Sequence, residues 1–385
     1  MPTLYIAVTN HGFGHATRAA SVATEVRQRA QAAGLPLELI MATQAPSWLL
    51  DSYLSEEYVH RPVSFDVGVL QSDSLTMDKA ATLQKMQFIH AQQDRLIEQE
   101  AAFLQAQKVD LVLADMPPLM GKIARAAEVP CWMMGNFGWD FIYRPWGSEF
   151  AAIVDWIGEC FGQSDRTFRL PFHESMSASP NITDVGLTGG TPAYSEDELR
   201  ALLKRDIPPE RTVLLTFGGL GLSAIPYKAL ANFPDWQFIT FDRHAPDLPN
   251  LYKVGDRKMR PVDWMIMCDR IISKPGYSTF AEACLLDKGV ITLTREGFAE
   301  AEILIEGIQD HALHRIVEAE DFFSGDWSFL TEALRSPRKS QKLDKTGQTK
   351  IASAIVDHLK ELLTVSALRW SIPLNQSAKS THRIS

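Results

Sequence analysis

Residues 9–18 read Thr-Asn-His-Gly-Phe-Gly-His-Ala-Thr-Arg, with the apolar run Leu4-Tyr5-Ile6-Ala7-Val8 in front and a helical pattern behind. An apolar run, a glycine turn and a helix, in that order, open a parallel α/β sheet. Gly12 and Gly14 let the backbone turn sharply and approach a ligand, and His15 stands where the first helix begins. A histidine there suggests proton transfer beside a bound polar ligand, beyond phosphate cradling. The plainer alternative is that the glycines serve the turn and His15 caps or packs at the helix start. The loop is not a dinucleotide fingerprint, because no third glycine stands near Thr17, and it lacks the Gly-Lys-Ser/Thr of a Walker loop.

Outward from this unit, apolar runs alternate with helical patterns: Leu37 to Ala42, Leu111 to Ala114, a helix over Met120 to Glu128, then Cys131 to Gly135. The span Ala80 to Gln107 is polar with apolar residues at helical spacing and reads as one exposed helix or two. Composition shifts near Asn181, where Gly186, Gly189, Gly190 and Pro192 precede a charged helix start at Ser195. A second α/β series follows, with strands expected at Thr212 to Phe217, Trp236 to Phe241, Arg270 to Ser273 and Val290 to Thr294. Its first strand runs into Gly218-Gly219-Leu220-Gly221, so both halves are expected to open with strand, glycine loop and helix. The division is 1–185, 186–364 and a polar, mobile tail at 365–385. Two open α/β domains face each other across a cleft, with both glycine loops pointing into it.

With 385 residues and a net charge of −9, the chain can bury two cores, and its average field disfavours nucleic acid or anionic lipid as a partner. No stretch approaches a membrane span and the start has no basic n-region, so a cytoplasmic location is expected. Cys131, Cys160, Cys268 and Cys284 lie far apart and form neither a zinc knuckle nor a disulfide framework. No Asp-x-Asp follows a strand, and neither a metal ion nor a cofactor is expected. Phe150 to Phe161 has the helical spacing of core packing. The oligomeric state is not readable.

The most specific run of the second half is Ser273-Lys274-Pro275-Gly276-Tyr277-Ser278-Thr279-Phe280-Ala281-Glu282. Backbone N–H groups at that helix start, with the Ser278 and Thr279 hydroxyls, suit a diphosphate, and Glu282 suits ribose hydroxyls. Thr279-x-x-Glu282 is equally a capping box. Gly218, Gly219 and the carboxylates Glu296, Glu300 and Glu302 are expected on the same edge, where the acids would accept hydroxyl hydrogen bonds or form a solvated helix face. Gly219-Leu220-Gly221-Leu222-Ser223 is only faintly like a small-molecule kinase loop, since the proline and serine run are missing.

On His11 to Arg18, Gln71 to Asp78, Asn136 to Tyr143 and Lys274 to Thr279, the chain resembles glycosyltransferases of the GT-B fold, and among them the amino-terminal, glycosyltransferase-like half of plant L-arabinokinase. The resemblance covers nearly everything before the tail; the kinase half has no counterpart. More distantly, the chain is similar to the N-acetylglucosaminyltransferase that forms lipid II, His15 matching its acceptor-side loop and Gly276, Thr279 and Glu282 its Gly-x-x-Thr-x-x-Glu helix start. That resemblance implies a UDP-sugar on the second half and an acceptor on the first. The glutamines that would read the donor sugar are replaced by Phe298-Ala299-Glu300-Ala301-Glu302, which leaves the donor sugar open.

The expected reaction is metal-independent transfer of a sugar from a nucleotide donor to an acceptor hydroxyl, with His15 as base and Lys274 adding charge at the diphosphate. Asp140 is expected to orient His15 or bind acceptor hydroxyls, with Trp139, Tyr143 and Trp146 offering faces to a sugar ring; core packing of these aromatics is the alternative. Asp115, at the end of a strand, is placed similarly. A UDP-sugar epimerase and a non-catalytic sugar-nucleotide-binding module are the competing readings.

Overall fold

The computed structural model describes residues 1–371 except Glu56, Asp73, Ser74, Leu220 and Ser223, and beyond residue 364 it describes only the backbone. The expected mobile tail therefore lies largely outside the described residues; the final helix, Gly347–Ser371, runs into its start.

Two parallel sheets carry the fold. The first holds β1 (Thr3–Val8), β2 (Glu38–Ala42), β3 (Val59–Arg61), β4 (Leu111–Asp115), β5 (Cys131–Gly135), β6 (Arg166–Arg169) and β7 (Ile182–Asp184), in the order β3-β2-β1-β4-β5-β6-β7. The second holds β8 (Thr212–Leu215), β9 (Gln237–Thr240), β10 (Leu251–Lys253), β11 (Arg270–Ser273), β12 (Gly289–Leu293) and β13 (His314–Val317), in the order β10-β9-β8-β11-β12-β13. All six residues of β1 are buried, as a strand with helices on both faces requires. Leu4, Ile6 and Val8 pack to one side with the first helix, Gly14–Ala32, while Tyr5 and Ala7 pack to the other with Val112 and Met133. The first of these clusters continues into Trp264, Ile271 and Phe280, so the two halves share an apolar floor.

In both sheets the chain order reverses beside the first strand, between β1 and β4 and between β8 and β11. That is where an open α/β sheet leaves a crevice at its carboxyl edge. The chain crosses between the halves twice, side by side: Leu187 N–H donates to the Asp344 carbonyl at 2.7 Å, and a Cβ on Gly347 would overlap the Gly186 backbone. Helix Gly347–Ser371 then packs along Gly14–Ala32, burying Ile351, Ile355 and Leu359.

The polar span 80–107 forms two helices, Lys79–Ala91 and Gln93–Ala106. Ser195 caps Glu196–Arg200 through a capping box with Glu198. Helix Ala151–Phe161 buries Ile153, Trp156 and Ile157, as its spacing implied. The four cysteines are buried and unpaired with one another. The loop after β8 departs from expectation. It leads to a six-residue 3-10 helix, Tyr227–Asn232, rather than an α-helix, and this helix ends where Phe233, preceding Pro234, is biased away from helical backbone.

Candidate functional site

Gly12 turns the loop after β1 with φ +60°, a conformation that favours glycine, and helix Gly14–Ala32 starts two residues later. His15 therefore lies on the first helical turn, beside the carboxyl end of β4. Val8 is in register with Asp115, the last residue of β4, and Asp115 Oδ1 lies 2.8 Å from His15 Nδ1. A carboxylate only accepts, so this 2.8 Å contact calls for the ring proton on Nδ1 and leaves Nε2 unprotonated, although Arg18 Nη2, itself only a donor, also lies 3.1 Å from Nδ1. Arg18, one turn beyond His15, holds the same carboxylate with two donors, Nε to Oδ2 at 2.8 Å and Nη2 to Oδ1 at 2.6 Å. Burial alone would raise the Asp115 pKa; Arg18 and His15 outweigh it and hold the carboxyl below its ordinary value.

The chain of contacts continues across the cleft. Arg18 Nη1 donates to Asn136 Oδ1 at 3.1 Å, and Asn136 Nδ2 donates to Glu300 Oε1 at 2.8 Å, joining the end of β5 to the helix Ala299–His311. Ser278 Oγ donates to the Gly14 carbonyl at 2.8 Å, and a Cβ on Gly219 would overlap the Phe13 ring. The two glycine loops meet at that point.

These contacts frame a cavity of about 100 Å³ that is partly open to solvent. His15, Gly12, Gly14 and Asn136 line it from the first half; Gly218, Gly219, Lys274, Gly276, Ser278, Thr279, Arg295 and Glu300 line it from the second. Helix Tyr277–Leu285 begins at this wall with no side-chain cap, so its first N–H groups face the cavity unpaired within the helix. Burial, with Arg295 adding to it, pulls the Lys274 amine down to about 7.

The structure thus gathers His15, Gly12, Gly14, Gly218, Gly219, Lys274, Gly276, Ser278, Thr279 and Glu300 into one cavity, and seats Asp115 directly behind His15. Seven expected residues stand elsewhere: Asp140, Trp139, Tyr143, Trp146, Glu282, and Glu296 and Glu302, which do not line this cavity. Asp140 does not reach His15: it lies on the helix Trp139–Tyr143, and its Oδ2 accepts from Arg144 Nη2 at 3.1 Å. The orienting contact belongs to Asp115. Trp139 presents no face to a ligand; it is fully buried, its indole N–H donates to Thr9 Oγ1 at 2.9 Å, and Tyr143 stacks on it. Tyr143 and Trp146 are buried too, because the segment after β5 has to cover the apolar edge of the first sheet. Glu282 points away from the cavity, where its Oε1 accepts from Gly190 N–H at 3.0 Å in the connection between the halves. Burial pushes its carboxyl up to about 7. The capping box is absent as well, since Gly276 is the N-cap and no side chain caps the helix.

Several site residues escaped the sequence reading: Arg18, His11, Asp66, Asn136, Arg295 and Gln71. Arg18 sits three residues after His15, hence on the same helix face; Asn136 directly follows β5, and Arg295 stands two residues after β12. Asp66 accepts from Asn10 N–H at 2.7 Å and from Thr9 Oγ1, fixing the loop, and its burial raises its pKa to about 6. His11 stacks on Phe298 with ring centroids 5.8 Å apart, and burial lowers its pKa well below the usual value. Among the described residues no helix is long and apolar enough to cross a membrane.

No family profile matches the chain. In sequence it is 28% identical to L-arabinokinase of Arabidopsis thaliana over 338 residues, covering 85% of this chain and 32% of that protein. The chain therefore spans about a third of the length of this relative. Among solved structures it is similar to the glycotransferase of kitacinnamycin, with TM-score 0.56 and 14% identity over 97% of this chain and 100% of that one. It is also similar to Arabidopsis thaliana UGT89C1 complexed with UDP-L-rhamnose, with TM-score 0.56 and 13% identity over 94% of this chain and 98% of that one. A putative UDP-N-acetylglucosamine 2-epimerase from Listeria monocytogenes matches with TM-score 0.55 and 12% identity over 94% of this chain and 97% of that one. The fold is GT-B, two Rossmann-like parallel α/β domains facing across a cleft, as the sequence reading expected.

Proposed function

We propose that this chain is a glycosyltransferase that moves a sugar from a UDP-linked donor to an acceptor hydroxyl, with His15 as the base and no metal ion. The observation that carries the reading is the opposition across one cavity of the His15–Asp115 pair and a cationic helix start, Lys274 with the first N–H groups of Tyr277–Leu285. The fold relationship to a protein bound to UDP-L-rhamnose supports the donor class.

In this reading His15 Nε2 takes the proton of the acceptor hydroxyl as its oxygen bonds to the anomeric carbon. The bond from that carbon to the diphosphate oxygen breaks, and UDP leaves with the electron pair. Asp115 steadies the imidazolium. The leaving diphosphate is met by Lys274, Arg295, the Ser278 and Thr279 hydroxyls and the helix N-terminus, which supply the positive charge that a divalent ion supplies elsewhere. Gly218 and Gly219 bring backbone close to the phosphates. Glu300, whose carboxylate lies on Asn136, is the candidate reader of donor-sugar hydroxyls.

The epimerase reading has a specific support in the Listeria relative, and donor chemistry separates the two. Calorimetry should find UDP binding to the wild type, weakened in Lys274→Met. Incubation with UDP-sugars should then release UDP only when an acceptor is present. Turnover of a UDP-sugar alone would favour the epimerase, and binding without turnover, indifferent to His15→Ala, would favour a regulatory module.

A further inference from the structure

Asn136 stands between two groups of opposite charge. It is the first residue after β5, 1% exposed, at the cavity wall. Its Oδ1 accepts from Arg18 Nη1 at 3.1 Å, and its Nδ2 donates to Glu300 Oε1 at 2.8 Å. A guanidinium only donates and a carboxylate only accepts, so these partners allow the amide one orientation and exclude the flipped one.

The amide is fastened to the first half of the chain. The Asn136 carbonyl accepts from Glu174 N–H at 3.0 Å, the preceding Gly135 carbonyl accepts from Leu170 N–H at 2.9 Å, and Nδ2 lies 3.4 Å from the Phe172 carbonyl. Glu300 belongs to the second half, on the first turn of the helix Ala299–His311. From Glu300 the contacts run through Asn136, Arg18 and Asp115 to His15 with no step longer than 3.1 Å. A carboxylate can accept several hydrogen bonds, so the bond to Asn136 leaves Glu300 with acceptor capacity at the cavity wall. A neutral amide suits this place. A carboxylate at position 136 would confront Glu300, and an apolar side chain would take one partner each from Glu300 and from the Arg18 guanidinium.

We propose that Asn136 is a positioning residue: it holds the Glu300 carboxylate in the orientation that meets the donor sugar and at one spacing from the His15–Asp115 pair. This rests on the transferase reading above, in which Glu300 reads sugar hydroxyls. The amide acts through Glu300.

The test is calorimetry on the full chain with UDP and with UDP-glucose, UDP-galactose, UDP-xylose and UDP-N-acetylglucosamine. The quantity read is the ratio of Kd for the UDP-sugar that the wild type binds tightest to Kd for UDP. Asn136→Leu leaves the Glu300 carboxylate unheld and Asn136→Asp repels it, so each should raise the ratio about three- to tenfold with UDP affinity nearly unchanged. Combining Asn136→Asp with Glu300→Gln should restore most of the ratio, because the introduced carboxylate accepts from Arg18 and from the introduced amide, and the bond across the cleft returns with its direction reversed. A merely structural part for Asn136 would lower the denaturant midpoint and leave the ratio at its wild-type value. UDP binding establishes that each variant is folded, and the Asn136→Asp pair carries the test if Asn136→Leu does not fold. An unchanged ratio in the single variants, a combined variant no better than Asn136→Asp, or wild-type binding of UDP but of none of the four UDP-sugars overturns the proposal. Failure of the wild type to bind UDP at all would instead overturn the transferase reading, and the proposal with it.

Discussion

Asp115 Oδ1 lies 2.8 Å from His15 Nδ1 although the two residues are 100 positions apart in the chain. The sheet brings them together: β1 and β4 are parallel neighbours, Val8 is in register with Asp115, and the turn after Val8 lifts His15 over the end of β4. The carboxylate is shared with Arg18, so the resting trio is one imidazole, one carboxylate and one guanidinium. In the proposed reaction, proton capture by His15 would leave the trio with net positive charge, facing the cavity wall where a diphosphate is proposed to leave.

His15→Ala should lower kcat by about 10²–10⁴-fold without abolishing UDP binding, because proton removal from the acceptor is lost while the cationic wall is intact. Asp115→Asn should lower kcat too, since an amide can accept from Nδ1 only in one rotamer and supplies no charge to the imidazolium. The double variant should be little worse than His15→Ala alone, as expected of groups that act as a unit. Steady-state UDP release with the best acceptor measures all three.

Arg18→Met should cost about 3–5 kcal/mol of stability, because it leaves the wholly buried Asp115 carboxylate with one bond to His15 and no cation. Adding Asp115→Asn to Arg18→Met should recover part of the loss. In the wild type the Asp115 carboxyl is held below its ordinary value, so the contribution is fully present above about pH 4 and is lost as acid carries the pH down through the lowered folded value. Denaturant titration of the three proteins at pH 7 reads the series.

The glycine loops and the helix start at Tyr277 were legible because each is a local pattern: an apolar run, a glycine, then helical spacing. Edge strands such as Val59-His60-Arg61 and Leu251-Tyr252-Lys253 left no such trace, being three residues long and only partly buried. Long-range partners were the other gap. Asp115 ends β4 and Asp140 comes shortly after β5, and only the β1–β4 register decides that Asp115 meets His15 while Asp140 turns to Arg144. Glu282 has the spacing for either a ribose or a cap, yet the crossing chain at Gly190 passes close enough to take its carboxylate.

UDP affinity should depend on pH through Lys274. In the free protein its amine titrates at about 7, whereas a bound diphosphate would keep it charged and so raise that value. Below pH 7 the lysine is already protonated and affinity should be level with respect to this group. Above pH 7 binding must take up a proton, and Kd should rise by up to about tenfold per pH unit until the bound-state value is passed. Calorimetry in two buffers of different ionisation heat should detect the uptake at pH 8, and Lys274→Met should lose both the uptake and the slope.

Glu282→Gln should stabilise the protein at pH 8 and leave UDP binding nearly unchanged. Burial lifts the folded carboxyl to about 7 from an ordinary value near 4.5, so the unfolded chain releases its proton first as pH rises. Stability is therefore unaffected by this group below about pH 4.5, declines between about 4.5 and 7, and is level above, for a loss on the order of 3 kcal/mol. The glutamine oxygen can still accept from Gly190 N–H, while the charge and its penalty are gone. Denaturant midpoints of wild type and variant should coincide at pH 4.5 and separate in favour of the variant by pH 8. A loss of UDP affinity in the folded variant would instead return Glu282 to the ribose-binding role that its spacing from Gly276 first suggested.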